Sequence, residues 1–406
     1  MKTRCVRLDH DLDVVGVGRS SGLLWSRDGL LIAGIGEGTR IPVERPGGAD
    51  EAQARLAEIV ASDEVDAPAS GVVAMAALPF DRHAVGELIV PRVTLVREPG
   101  GRRWMIHDDD VSDHDAIEMA VGALEAEPVG AEPGSYQVRS AVAPERWRDD
   151  VVAATRDRIA AGEFRKVVLA RELVVETDEP IDTAAVLRRL HQTYGTSIVF
   201  AVDGFVGATP ELLVGRNDDV VHAHPLAGTA PRSSDPAADG RLAAGLAASD
   251  KNRAEHRITI DWLLDNLLPF CSYVDAEPEP SIVSLANVHH LGTRVEGRLS
   301  GPAASVLELV AALHPTPAVG GAPQADALAC IAEVEPGDRG RYAGPVGWVD
   351  GAGNGEFAVG IRSGSIEGNR ATVWAGVGVV ADSDPAAELS ETRSKFQAML
   401  GALVRP

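Results

Sequence analysis

The sequence is short of the material for several kinds of protein. Its three cysteines, Cys5, Cys271 and Cys330, are too few and too scattered for a disulfide framework or a cysteine zinc site, and the odd count fits a reducing compartment. Aromatic residues are only 4% of the chain, so small aliphatic side chains must do most of the packing. No stretch approaches the roughly 18 apolar residues of a membrane span. The start, MKTRCVRLDHDLDVVG, lacks the apolar core and small-residue cleavage site of a signal peptide. A cytoplasmic protein is expected. Basic residues are also scarce: 38 Lys and Arg stand against 60 Asp and Glu, a formal charge of −22. Such a surface repels phosphate backbones and anionic lipid, so neither nucleic acid nor membrane is an expected partner. The plainest reading of the excess acid is solubility, and any anionic substrate would need a locally positive pocket. Walker, Rossmann and HExxH motifs are missing, which leaves nucleotide and zinc-protease readings without support.

What is present is a globular composition, 45% apolar and 24% charged. Short runs rich in branched aliphatics, at 30–36, 71–80 and 87–98, read as strands, and 46–62 reads as a helix after a turn. A Pro/Gly/Glu stretch at 125–136 reads as a linker or long loop. Beyond it, 145–162 reads as an amphipathic helix ending at Gly162, and 164–176 as a strand. Segments 197–204 and 211–216 look like a hairpin pair, and 220–232 like a strand running into a glycine loop. A helix is expected over 250–270. Three strand-like runs follow at 340–350, 355–366 and 371–380. The last element, 384–404, is a helix with Asp384 as cap and Pro385 in its first position.

Several polar groups in these elements could carry chemistry. Glu388, Glu391 and Lys395 are spaced i, i+3 and i+7, so they share one helix face. Most such stripes are solvated; the alternative is a set of oxygen ligands for a hard cation. Glu255, with His256 beside it, offers the same choice on another helix. Lys166 lies among branched aliphatics in KVVLAR, either snorkelling at a strand edge or buried and able to serve as a general base. Glu211 follows Pro210 at a turn. Glycines at Gly228-Thr229 and at Gly376 and Gly378 could present backbone amides to a carboxylate. His289 and His290 are adjacent, which on a strand sends them to opposite faces and makes a shared metal site poor geometry.

Nine segments occur in one order: FRKVVLAR, GATPELL, HPLAGTAPR, DKNRAEHRI, LHPTPAVGGAP, EVEPGDRGRYAGPVGW, IRSGSI, AGVGVVADSDP and ELSETRSK. Together they resemble the chorismate-utilising enzymes, which include the isochorismate, salicylate, anthranilate and aminodeoxychorismate synthases. The likeness spans roughly residues 140–400 and is loose before 130. Amine-transferring members have glutamine where this chain has Lys166, so lysine resembles the water-using branch. Ala227 stands where aminodeoxychorismate synthases have lysine, and LHPTPAVGG is similar to isochorismate synthases in particular. The alternatives are a salicylate synthase, which goes on to eliminate pyruvate, and a non-catalytic or ammonia-dependent subunit.

The resemblance implies one α/β unit over 1–406, a large, mostly antiparallel sandwich flanked by helices. Residues 1–135 would complete the sheets and 140–402 would form the catalytic part. It implies conversion of chorismate to isochorismate by water attack at C2 with loss of the C4 hydroxyl, feeding menaquinone or a siderophore, in a monomer. Lys166 would be the base and Glu211 the acid. Glu255 and Glu391 would hold Mg2+, with Glu388 near it through water and Lys395 alongside. Arg362, Tyr342, Gly376 and Gly378 would bind the enolpyruvyl carboxylate; Gly228, Thr229 and His314 would line the ring.

Overall fold

The protein is described here by a computed structural model covering residues 2–9, 11–44, 47–126 and 134–404. Most of the 125–136 stretch therefore lies outside the described residues. Among those described, the strands form a thirteen-stranded sheet, a nine-stranded sheet and a three-stranded one. The largest runs from Tyr136–Ser140 through Lys166–Thr177, Arg370–Val379, Ser363–Glu367, Phe205–Thr209 and Ile198–Val202, then continues into Leu23–Arg27 and five further strands from the first 110 residues. Among the described residues its pairings are antiparallel except at the far edge, where Lys2–Arg7 pairs in parallel with Val60–Asp63. The nine-stranded sheet also mixes early and late chain: Val73–Ala77 pairs with Pro345–Asp350.

The two large sheets face each other across a core. Trp25, Ile32, Phe200 and Phe205 from one pack with Met75, Ile89, Leu212, Val346 and Trp348 from the other. Inward-facing side chains of both sheets thus make one apolar layer, the arrangement of a sandwich. Outside it, helices Thr183–Tyr194 and Pro385–Leu403 cover the large sheet through Leu187, Leu190, Phe396 and Met399. The antiparallel sandwich flanked by helices is as expected.

Four local expectations need correction, each for a physical reason. Ile198–Val202 pairs with Phe205–Thr209, and the 211–216 segment goes to the other sheet. The signal is the dipeptide Asp203-Gly204, both at positive φ (52° and 78°), which closes a two-residue hairpin. The 220–232 run is two strands in different sheets, Val220–His224 and Leu226–Pro231, broken at Pro225, which has no N–H for a ladder. Within 355–366 the chain likewise leaves one sheet after Val359 and enters the other at Ser363. The helix expected over 46–62 ends at Ala57, because Val60–Asp63 finds a strand partner 58 residues away in Lys2–Cys5. The helix of 250–270 is Asp250–Leu267 followed by a short turn, and the C-terminal helix has its predicted start, with the Asp384 side chain accepting from the Ala386 amide.

These corrections matter for function. Pro210-Glu211 and Gly360–Arg362 are two of the corners at which the chain crosses between the large sheets. A corner residue is released from the ladder and can turn its side chain into the gap between layers. Both corners carry a predicted site residue.

Candidate active site

A cavity of about 260 Å³ opens where those corners meet the Lys166 strand, the Asp250–Leu267 helix and the C-terminal helix. Of the thirteen site residues expected from sequence, twelve line it: Lys166, Glu211, Gly228, Thr229, Glu255, Tyr342, Arg362, Gly376, Gly378, Glu388, Glu391 and Lys395. His314 does not. It is buried elsewhere, donating from Nε2 to the Phe80 carbonyl at 2.9 Å and meeting the Phe80 ring edge-on. The cis peptide His314-Pro315 belongs to a segment that enters the cavity only at Ala318 and Val319, so the ring-lining role expected of His314 is withdrawn.

Lys166 is only 1% exposed. Burial was one of its two expected fates; its partner was not foreseen. Its Nζ lies 2.8 Å from Glu255 Oε1, which joins the proposed base to a proposed metal ligand. Burial opposes charge on Glu255, but the charge and hydrogen bond of Lys166, with Lys395 and Lys251 farther away, outweigh it and hold the carboxyl below its usual range. Gly378 sits against this pair. A Cβ there would come 2.9 Å from both Glu255 Oε1 and Lys166 Cε, so the glycine keeps the space in which the pair meets.

Glu211 is 3% exposed, and burial pushes its carboxyl up to about 7. An amide hydrogen bond from Leu226 and the charges of Lys166, Arg362 and Lys395 pull the other way without cancelling the desolvation. A carboxyl in that range holds a proton for much of the time at neutrality and can donate it.

Arg362 carries its side chain from a corner at φ 52°, a left-handed conformation that costs a non-glycine residue energy. Its Nη2 donates to His290 Nε2 at 3.0 Å, while its Nε is buried with no partner among the described residues. Burial, with the charges of Arg362 and Lys395 behind it, drives His290 well below its ordinary range, so the ring is neutral. Guanidinium can only donate, so Nε2 is the acceptor and Nδ1 carries the proton, held by the Gly228 carbonyl at 3.1 Å and Thr229 Oγ1 at 3.2 Å. Alternation had correctly separated His289 from His290; nothing in the pattern showed that His290 would brace an arginine. Other lining residues missed from sequence are Lys251, Asn252 and Arg339.

On the C-terminal helix, Lys395 Nζ bonds both Glu391 Oε1 and the Gly376 carbonyl at 2.7 Å. Glu388, one turn earlier, is pushed up to about 7 by burial and then by the charge of Glu391. Five cationic side chains face the cavity against four carboxylates, two of them raised to about 7. A locally positive pocket therefore exists inside a shell of charge −22, as an anionic substrate requires.

Among the described residues no group of three His, Cys, Asp or Glu side chains stands together as a ready metal cluster. The donor set nevertheless suits a hard cation: three carboxylates share one small cavity, and Glu388 is destabilised as an anion by Glu391.

This geometry agrees with what the whole chain is related to. Residues 19–404 match the family described as "Chorismate binding enzyme", and the chain belongs to that family. Isochorismate synthase DhbC of Bacillus subtilis is 38% identical over 338 residues, covering 80% of this chain and 79% of its own. Isochorismate synthase MenF of the same organism is 37% identical over 337 residues, covering 80% of this chain and 71% of its own. The solved structure of MenF, the menaquinone-specific isochorismate synthase from Escherichia coli, superposes with a TM-score of 0.81 at 26% identity, covering 99% of this chain and 94% of its own.

Proposed function

We propose that this chain is an isochorismate synthase that converts chorismate to isochorismate with Mg2+, supplying menaquinone or siderophore synthesis. The observation that carries the reading is the pairing, in one cavity, of a buried lysine with a buried carboxyl raised to about 7. Hydroxyl exchange on the ring needs a base at C2, where water attacks, and an acid at C4, where hydroxide leaves. In its neutral form Lys166 Nζ accepts the proton from the attacking water, held in place by its 2.8 Å contact with Glu255. Glu211 donates to the departing C4 oxygen, and its raised pKa keeps the proton available. When isochorismate is the substrate the two exchange roles.

Arg362 is aimed by His290, and its unpartnered Nε matches a carboxylate oxygen of the enolpyruvyl group, with the Tyr342 hydroxyl beside it. Glu255, Glu391 and Glu388 would hold Mg2+. The chemistry supplied there would be neutralisation of the ring carboxylate and withdrawal of electron density towards C1. The test is chromatography of products after incubation with chorismate and Mg2+. Isochorismate alone supports the reading; accumulating salicylate points to the pyruvate-eliminating alternative, and no turnover without a glutaminase partner points to the ammonia-dependent one.

A further inference from the structure

His289 takes no part in the cavity above. It lies beside His290 on the strand Val288–Gly292, and alternation turns it to the opposite face, where it is 3% exposed. Both ring nitrogens are engaged. Nε2 stands 3.1 Å from Asp239 Oδ1, and Nδ1 stands 2.8 Å from Ser284 Oγ. The Asp239 carboxylate can only accept, so Nε2 carries the proton. Nδ1 then presents its lone pair, and the Ser284 hydroxyl donates to it.

Asp239 is fixed in turn. It accepts from Arg232 Nη2 at 2.7 Å and from the Ser233 amide at 2.9 Å, and these bonds hold its carboxyl far below the usual range. Ser284 is exposed at the end of the strand Ser281–Ser284, paired directly across from His289. It lines a second cavity of about 950 Å³, with Leu285, Tyr273, His222 and His224 among its walls. Nucleophile, base and orienting carboxylate within hydrogen-bond reach define an activated serine by their roles, whatever the fold. Here the ring is used in the reverse sense from the serine proteases, with serine on Nδ1 and carboxylate on Nε2.

We propose that Ser284, His289 and Asp239 form a second, serine-nucleophile site that accepts an acyl group from an activated ester. The Ser284 proton passes to His289 Nδ1 as Oγ bonds to the carbonyl carbon. The bond from that carbon to the leaving oxygen breaks, and His289 returns the proton to the departing alcohol. Water, deprotonated by the same imidazole, then releases the acid and restores the serine. Arg232 shares the charge of Asp239 and weakens its support of the imidazolium, so the site is slower than a dedicated hydrolase.

The test treats the full chain with a fluorophosphonate and, separately, with para-nitrophenyl acetate, and locates adducts by peptide mass spectrometry. One adduct on Ser284 is expected from each reagent. Phosphonylation should slow at least tenfold in His289→Gln and less in Asp239→Asn. Ser284→Ala should lose the adduct and keep wild-type chorismate turnover, which separates this site from the first. An unlabelled Ser284 in folded wild-type protein overturns the proposal. So does labelling at the wild-type rate in a His289→Gln chain that retains the wild-type circular dichroism spectrum.

Discussion

Two ion pairs reach the wall of the active-site cavity, and they are built differently. The side chains of Arg339 and Glu335 are each 2% exposed, and the pair is crowded with partners. The guanidinium bonds both Glu335 oxygens, at 2.5 and 2.8 Å, and the carbonyls of Val319 and Val168, while Glu335 also accepts from the Ala170 amide. Lys166 and Glu255 meet through one contact of 2.8 Å, and the ammonium has a single carboxylate partner among the described residues. A saturated pair ties strands and loops together: Arg339 adds charge to the cavity wall, but its N–H groups are largely spent on Glu335 and the two carbonyls. The sparsely bonded pair keeps donors and lone pairs in reserve, at a place where Gly378 leaves room for something to approach. On this account the first pair serves stability and the second serves chemistry.

The largest expected effect breaks the second pair. Lys166→Gln keeps much of the side-chain volume but removes the base, and kcat should fall roughly 10²–10⁴-fold with little change in KM. Its thermal unfolding should stay near wild type. A Lys166→Gln enzyme that is fully active would erase the distinction drawn here. Removing one partner of the first pair, by Arg339→Met, strands a buried charge on Glu335 and should cost about 3–5 kcal/mol of stability in denaturant titration. A stable Arg339→Met protein that is merely inactive would reverse the assignment of roles.

The proposed metal ligands come next. Glu255→Gln and Glu391→Gln should each lose most turnover while remaining folded, and EDTA should abolish wild-type activity until Mg2+ is restored. Either variant retaining near-normal kcat at saturating Mg2+ removes that residue from the ligand set.

A smaller effect concerns pH. As the proposed acid Glu211 would act protonated, and its carboxyl is raised to about 7, so kcat should decline as pH rises through that value, and Glu211→Gln should lose this limb along with most of the rate. Stability follows the same sign. The folded state holds the Glu211 proton to higher pH than the unfolded chain, so this group contributes a loss of stability as pH climbs from its ordinary range through about 7. A wild-type profile that is flat across that window contradicts the raised carboxyl. Smallest of all should be the effect of His314→Gln on KM, since the side chain lies outside the cavity; a marked rise in KM would return His314 to the site.

The same contrast shows what was legible in the sequence. Lys166 stood out locally as a lysine among branched aliphatics, but its role as base, and Glu211 as the acid, came from the resemblance, since a Pro-Glu turn by itself favours no role. The Asp384 cap and Pro385 announced the helix carrying Glu388, Glu391 and Lys395, and the antiparallel sandwich followed from the ordered motifs. Contacts between distant segments stayed hidden. Lys166 and Glu255 are 89 positions apart, and Arg362 reaches His290 across 72; no spacing rule joins such residues. The sheet-switching corners were misread as continuous strands because apolar alternation persists through Pro225 and Gly360, where the backbone changes layers. His314 was drawn into the site by its neighbours in the motif, though its own side chain turns to Phe80.

Water attack assisted by Lys166 is tested most directly by following the oxygen. Chorismate should be incubated with wild-type protein and Mg2+ in water labelled with heavy oxygen, and the product analysed by mass spectrometry. Isochorismate should carry one solvent-derived oxygen at C2 and should form at least a hundredfold more slowly in Lys166→Gln. Isochorismate free of label, or labelled at an undiminished rate by that variant, would contradict it.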